Sequence, residues 1–130
     1  MVSLEQAEKE FLGWFEYKKL PKRMLEKKAD DKEVIIDAIM EESISIDPES
    51  YEIKQVLKFP KEQIKELSFK PRVTEGVLAS ATRGIKIDDL IGQMPICYIS
   101  AITGTDRALI RSMESVDTVV GKSIAAFFST

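Results

Sequence analysis

The stretch that decides the fold class runs Ser43-Ile-Ser-Ile46, Asp47-Pro-Glu-Ser50, Tyr51-Glu-Ile-Lys-Gln-Val-Leu-Lys-Phe59, Pro60-Lys-Glu-Gln63 and Ile64-Lys-Glu-Leu-Ser-Phe69. Its first four residues alternate polar and apolar, the period of a half-buried strand. Asp47-Pro-Glu-Ser50 reads as a turn, with Pro at a type I position. The next segment places Tyr51, Ile53, Leu57 and Phe59 on one parity, and Gln55 interrupts that face. A second polar turn follows at Pro60, and Ile64, Leu67 and Phe69 return. Two strands joined by a short polar turn predict an antiparallel hairpin. Pro71 ends it.

On the N-terminal side the period changes to that of a helix. Ser3-Leu-Glu-Gln6 is a capping box, with a hydroxyl at the N-cap and Gln three residues on. Leu4, Ala7, Phe11, Trp14 and Phe15 then fall on one face. Pro21 interrupts, and can start a second short helix through Lys27. Asp30 or Asp31 is expected to cap a third helix, with Val34, Ile35, Ala38 and Ile39 as its apolar stripe. The β-branched Val34-Ile-Ile36 run makes a strand the competing reading.

On the C-terminal side everything reads as helix. Val73, Val77, Leu78 and Ala81 belong to one helix ending near Gly84. Asp88 is expected to cap the next, burying Leu90, Ile91 and Met94. Pro95 is expected to break it, so that residues 95–102 form a separate helix stopped by Gly104. Thr105 or Asp106 caps another helix. Ser115 or Asp117 opens the last, whose Val116, Val119, Val120, Ile124, Phe127 and Phe128 keep helical spacing. Gly121 inside it costs about 1 kcal/mol against Ala, which calls for a close packing neighbour. The expected class is therefore α+β: an N-terminal helical arm over residues 1–42, then residues 43–130 as a small antiparallel hairpin or sheet with a compact helical bundle, the arm and the rest forming one folded unit.

Composition narrows function more than it narrows fold. The 130 residues carry 19 Lys plus Arg against 22 Asp plus Glu, a net charge of -3, with no His and one Cys, Cys97. Without His there is no Ser-His-Asp or Cys-His couple and no imidazole metal site. One Cys allows no disulfide within the chain and no thiolate zinc site. The slightly acidic balance argues against nucleic acid as a partner. The most apolar window, residues 94–102, is far short of the ~20 residues that span a bilayer. The N-terminus lacks a basic and an apolar leader region, so a cytoplasmic location and no membrane partner are expected. Charge is uneven: 14 basic and 16 acidic residues lie at or before Arg72, and 5 and 6 after it. That asymmetry predicts an elaborated N-terminal surface and a C-terminal packed core.

Candidate chemistry is sparse. Val120-Gly-Lys-Ser123 resembles the end of a phosphate-binding loop, but the glycine required five residues before Gly121 is Val116, and the lead-in is helical. Asp88 and Asp89 are adjacent and read as a helix start, not a metal pair. Lys18, Lys19, Lys22, Arg23, Lys27 and Lys28 form a basic cluster, read as a solvated face. Cys97, among Ile96, Tyr98 and Ile99, reads as a buried structural thiol. Phe11, Trp14, Phe15 and Tyr17 are the exception to this blandness. They lie in the charge-rich arm, where they are either core or an anchor for a partner or a second copy. No nucleophile–base pair, cofactor loop or metal cluster emerges, so the expectation is a protein without enzymatic activity, cofactor or metal.

From Val56 onward the order of elements resembles the phage tail assembly chaperones. The residues carrying this are the hairpin Val56-Leu-Lys-Phe59 with Leu67-Ser-Phe69, the step Lys70-Pro-Arg-Val73, and a helix through Ala79-Ser-Ala81. They continue with the stop in Ile99-Ser-Ala-Ile-Thr-Gly104, then Ser115-Val-Asp117 before a final helix ending in Phe127-Phe128. The likeness covers about the last 75 residues; the first 50 have no counterpart in the short members. The resemblance implies a non-enzymatic role, shielding the tape-measure or tail tube protein before the tail polymerises. A baseplate family of contractile phages looks similar over the same stretch. The alternatives are a structural baseplate or tail component, or a generic adaptor that dimerises through its N-terminal helix. Protein-interaction candidates are Phe11, Trp14, Phe15, Tyr17, Phe127 and Phe128.

Overall fold

In the computed structural model, which describes residues 1–128, three short strands form an antiparallel meander in the order β1 (Ile44–Ile46), β2 (Ile53–Val56), β3 (Glu66–Phe69). Ile46 pairs with Ile53, and Ile53 with Phe69; Ile44 pairs with Gln55, and Gln55 with Leu67. These six residues share one buried face, while Ser45, Lys54 and Ser68 face outward, as a period of two requires. The Asp47 turn closes locally, its Oδ1 accepting the N–H groups of Glu49 and Ser50 at 2.8 and 3.0 Å. Those bonds hold the Asp47 carboxyl below the usual carboxylate range. Phe59, expected on the inner face, is 56% exposed. The chain has left the ladder by then, with Leu57 N–H on the Lys65 carbonyl closing the hairpin.

The described residues form seven α-helices, and the sheet turns its buried face towards them while its outer face stays exposed. Helix α1 (Leu4–Tyr17) starts as expected, with Ser3 Oγ accepting the Gln6 N–H. The reciprocal half of the capping box is not made, because Gln6 Nε2 donates to Glu10 at 3.3 Å instead. Leu4 does not join the buried face of Ala7, Phe11, Trp14 and Phe15 but stays half exposed at the first turn. After α2 (Met24–Lys27), helix α3 (Ala29–Met40) begins from Lys28, without a side-chain cap. Asp30 and Asp31 lie inside its first turn, where the helix dipole favours acids. Asp31 Oδ1 also accepts the Ser123 hydroxyl at 3.0 Å. The Val34-Ile-Ile36 run is helical. Burial of Ile35, Ile36, Ala38 and Ile39 against neighbouring elements outweighs their modest strand preference.

Beyond the sheet come α4 (Glu75–Ser80), a 3-10 turn (Ile87–Asp89), α5 (Leu90–Thr103), α6 (Arg107–Ser112), α7 (Ser115–Ala125) and a 3-10 turn (Ala126–Phe128). Thr74 caps α4 and Asp106 caps α6 through side-chain oxygens. Gly104 stops α5 in the left-handed region at φ +74°, which glycine adopts at little cost. Several expectations fail here, the first being that Asp88 does not cap α5, which follows Asp89 with no side-chain cap bond. Pro95 does not break α5, which runs through it. The N–H that Pro lacks would have bonded the carbonyl of Ile91, and Ile91 is itself 89% exposed, so water can take that acceptor. Ile91 is accordingly not buried. Val116 and Val119 also face outward, and Glu114, not Ser115 or Asp117, precedes α7 as its cap residue.

The core unites both halves of the chain. Phe11, Trp14, Ile35, Ile39, Ile53 and Phe69 are as buried as Ile99, Ile102, Ile110, Ile124 and Phe127. The charge-rich first half is therefore not a surface elaboration; its charges line the outer faces of helices whose inner faces complete the core. Gly121 of α7 has the close neighbour its position called for: a Cβ there would meet Ile99 Cδ1 at 3.1 Å and Phe69 Cζ at 3.6 Å.

Candidate protein-interaction site

The six aromatic candidates converge, and most of them converge inward. The Phe127 ring stands edge-on to Phe11, Trp14 and Phe15 at centroid distances of 5.5, 5.8 and 6.0 Å. Phe11, Trp14, Phe15 and Phe127 are all buried. Edge-to-face rings at this spacing are the favoured geometry of aromatic packing, adding roughly 0.5–1.5 kcal/mol per pair beyond area burial. The cluster thus locks α1 onto the last turn of the chain, and in this arrangement its faces are not presented to a partner. Trp14 Nε1 lies in this cluster without a hydrogen-bond partner among the described residues.

Phe128 and Tyr17 sit at the margin of the cluster. Lys18 Nζ lies 3.3 Å from the Phe128 ring centre and 5.4 Å from that of Trp14, and it donates to the Pro71 carbonyl at 2.7 Å. Burial of the ammonium, helped by the nearby positive charge of Arg72, pushes the Lys18 pKa down to about 8. Tyr17 stacks on Tyr51 at 4.5 Å, and the Arg72 guanidinium lies 4.2 Å from the Tyr17 ring centre. The basic cluster is thereby divided. Lys18 and Lys28 reach back onto backbone carbonyls, of Pro71 and Ala126 respectively. Lys19, Lys22, Arg23 and Lys27 point to solvent.

The other sequence candidates also find positions. Cys97 is buried and unpaired. Lys122 is exposed on α7, with no loop of free amides around it. Asp117, unremarked as a polar core residue from sequence, is only 2% exposed. Its Oδ1 accepts the Lys58 N–H at 2.8 Å, its Oδ2 the Phe59 N–H at 3.1 Å, and its carbonyl the Gln55 side-chain amide at 2.9 Å. Gln55 therefore stays on the inner face of the sheet as the polar half of a clamp between β2 and α7.

Sequence reasoning missed the largest apolar exposure in this part of the molecule. Ile87 is 87% and Ile91 89% exposed, four residues apart on the unit formed by the 3-10 turn and α5. Met94, Pro95 and Tyr98 continue the strip, half-buried. Ile91 and these three, together with Ala125, Ala126, Lys28 and Lys122, line an open groove of about 250 Å³. The signal was present in the sequence: apolar residues at 87, 91, 94 and 98 keep helical spacing. Of these, Ile91 and Met94 are expected inward from sequence, because nothing in one sequence tells an inner stripe from an outer one. A larger cleft, of about 770 Å³, lies along α1. Leu12, Gly13, Ile46, Pro48 and Tyr51 contribute to it beneath exposed Glu5, Glu8 and Glu16.

No family model, no curated protein and no solved structure matches this chain. Among the described residues no helix is long and apolar enough to cross a membrane.

Proposed function

We propose that this chain is a non-enzymatic assembly factor: a phage tail assembly chaperone that shields apolar surface on the tape-measure or tail tube protein before the tail polymerises. The observation that carries this reading is the outward strip of Ile87 and Ile91, continued by Met94, Pro95 and Tyr98. Single exposed apolar side chains are ordinary. A contiguous strip beside an open groove marks a protein-binding surface. A long helical tape measure exposes apolar stripes until tube subunits cover it, and a small domain with such a strip can cover them reversibly. The order of hairpin, helices and final aromatic pair supports the same assignment by resemblance, and the site of action it implies is the host cytoplasm.

The test is co-expression with a phage tape-measure protein and a tail tube protein. A stable soluble complex with one of them is expected, lost in Ile91→Asp. No complex with either overturns the reading. Retention of the chain in purified mature particles would instead assign it to the tail or baseplate as a structural component.

A further inference from the structure

The cleft of about 770 Å³ along α1 joins an apolar floor to an acidic rim. The helix period sets the rim. Ala7, Phe11, Trp14 and Phe15 turn inward, while Glu5, Glu8, Leu12 and Glu16, spaced by three or four residues, share the opposite face. Leu12 is 37% exposed among these carboxylates. Across the cleft stand Ile46, at the end of β1, and Pro48 and Tyr51 beyond it. Tyr51 Cε1 lies 3.6 Å from where a Cβ on Gly13 would stand, so its ring closes against the helix. Tyr17 stacks on that ring at 4.5 Å and fixes this wall. The lining carries four carboxylates, Glu5, Glu8, Glu10 and Glu16, against one ammonium, Lys9. None of these five makes an ion pair among the described residues. The helix dipole accounts for Glu5 in the first turn. It disfavours Glu16 in the last turn, where the helix carries no basic residue.

We propose that this cleft binds a cationic amphipathic segment of a partner protein. Apolar side chains of the segment enter between α1 and the Ile46–Tyr51 wall, and its Lys or Arg side chains meet the glutamates. Charge decides the occupant. Nucleic acid and anionic lipid are repelled by a lining with four carboxylates and one ammonium. A neutral apolar segment would strip water from those carboxylates and give them no partner, which is costly. A cationic segment pairs them, and complementary charge sets both specificity and the rate of encounter. Glu5 and Glu16 are eleven residues apart, about 16 Å at 1.5 Å per residue, so the rim matches about three helical turns of a partner. The cleft shares no lining residue with the groove beside α5, and binding here is independent of the tail-assembly reading.

The probe is a labelled synthetic peptide of leucine and lysine in amphipathic helical order, about eleven residues long. It is titrated with the purified full chain and followed by fluorescence anisotropy. Saturable binding is expected, weakening as salt rises from about 0.05 to about 0.5 M. The counterpart peptide of leucine and glutamate should not bind. Glu8→Lys with Glu16→Lys should weaken binding about tenfold or more. Leu12→Gln should weaken it with no change of charge. Glu33→Lys with Glu62→Lys alters the net charge equally at positions outside the cleft, and should bind as the parent does. All five side chains are exposed, so circular dichroism should report an unchanged fold. No binding by the parent, equal loss in the two charge-reversed chains, binding indifferent to Leu12→Gln, or equal binding of the glutamate peptide would each overturn the proposal. Self-association of the parent in sedimentation velocity, abolished by Glu8→Lys with Glu16→Lys, would give the cleft to a second copy and overturn it too. Ile91→Asp should bind the peptide as the parent does, so failure here and failure of the assembly reading are read from different variants.

Discussion

The Lys18 ammonium lies over the Phe128 ring, 3.3 Å from its centre, while donating to the Pro71 carbonyl. This one side chain joins the end of α1, the segment after the sheet and the final turn of the chain. Its pKa falls from 10.5 to about 8, chiefly through burial and secondarily through Arg72. Below pH 8 both folded and unfolded states carry the proton, and the folded state bears the whole cost of burying the charge. Between about 8 and 10.5 the folded state releases the proton while the unfolded chain keeps it. The unfolded state then binds more protons, so stability rises with pH across that window. The neutral amine can still donate to Pro71, though its attraction to the ring is lost. The net gain should be on the order of 1 kcal/mol. Urea midpoints at pH 7.5 and 10 for the parent and Lys18→Met should diverge in this sense; parallel pH profiles would contradict it.

Trp14 should behave as a core residue. Trp14→Ala is expected to cost about 3–5 kcal/mol, read from urea unfolding by circular dichroism. Trp14→Phe should cost distinctly less, because it keeps a ring against Phe127 and removes an indole N–H that has no acceptor. Equal losses for the two variants would count against the packing described.

Asp117 ties α7 to the hairpin through two backbone N–H groups. Asp117→Ala leaves those of Lys58 and Phe59 unpartnered and should cost roughly 2–4 kcal/mol. Asp117→Asn, which retains one acceptor, should cost less. Amide exchange at residues 58 and 59 should accelerate in the Ala variant ahead of the rest of β2.

Gly121 and Ile99 should be coupled. Gly121→Ala gains helix propensity of about 1 kcal/mol but sets a methyl 3.1 Å from Ile99 Cδ1, so alone it should be close to neutral. Ile99→Val removes that δ-methyl, and in its background Gly121→Ala should become stabilising. A double-mutant cycle measures the coupling; additivity would contradict the contact.

Much of this fold was legible in the sequence wherever a local chemical signal was also decisive. Ser3 and Asp106 cap helices through their own side chains, Gly104 stops one, and the alternation around Ile44, Ile53 and Phe69 sets the sheet. The reading failed where orientation depended on distant partners. Gln55 looked like a defect in a strand face until Asp117, far along the chain, supplied its acceptor. Phe11, Trp14 and Phe15 read as core with an anchor as the alternative, because only the return of Phe127 places them inside. Ile91 and Val116 had the spacing of buried residues and face solvent, since periodicity defines a stripe without saying which way it looks. Charge density misled for the same reason: a charged outer face says nothing about the inner face of the same helix.

Under the proposed function the chain works through its outer α5 strip on an apolar protein client. The most direct measurement is size-exclusion chromatography of the chain co-expressed with the tape-measure protein, beside the same experiment with Ile91→Asp. A soluble complex is expected with the parent chain, and free, folded protein with the variant. A complex that survives Ile91→Asp unchanged would contradict it.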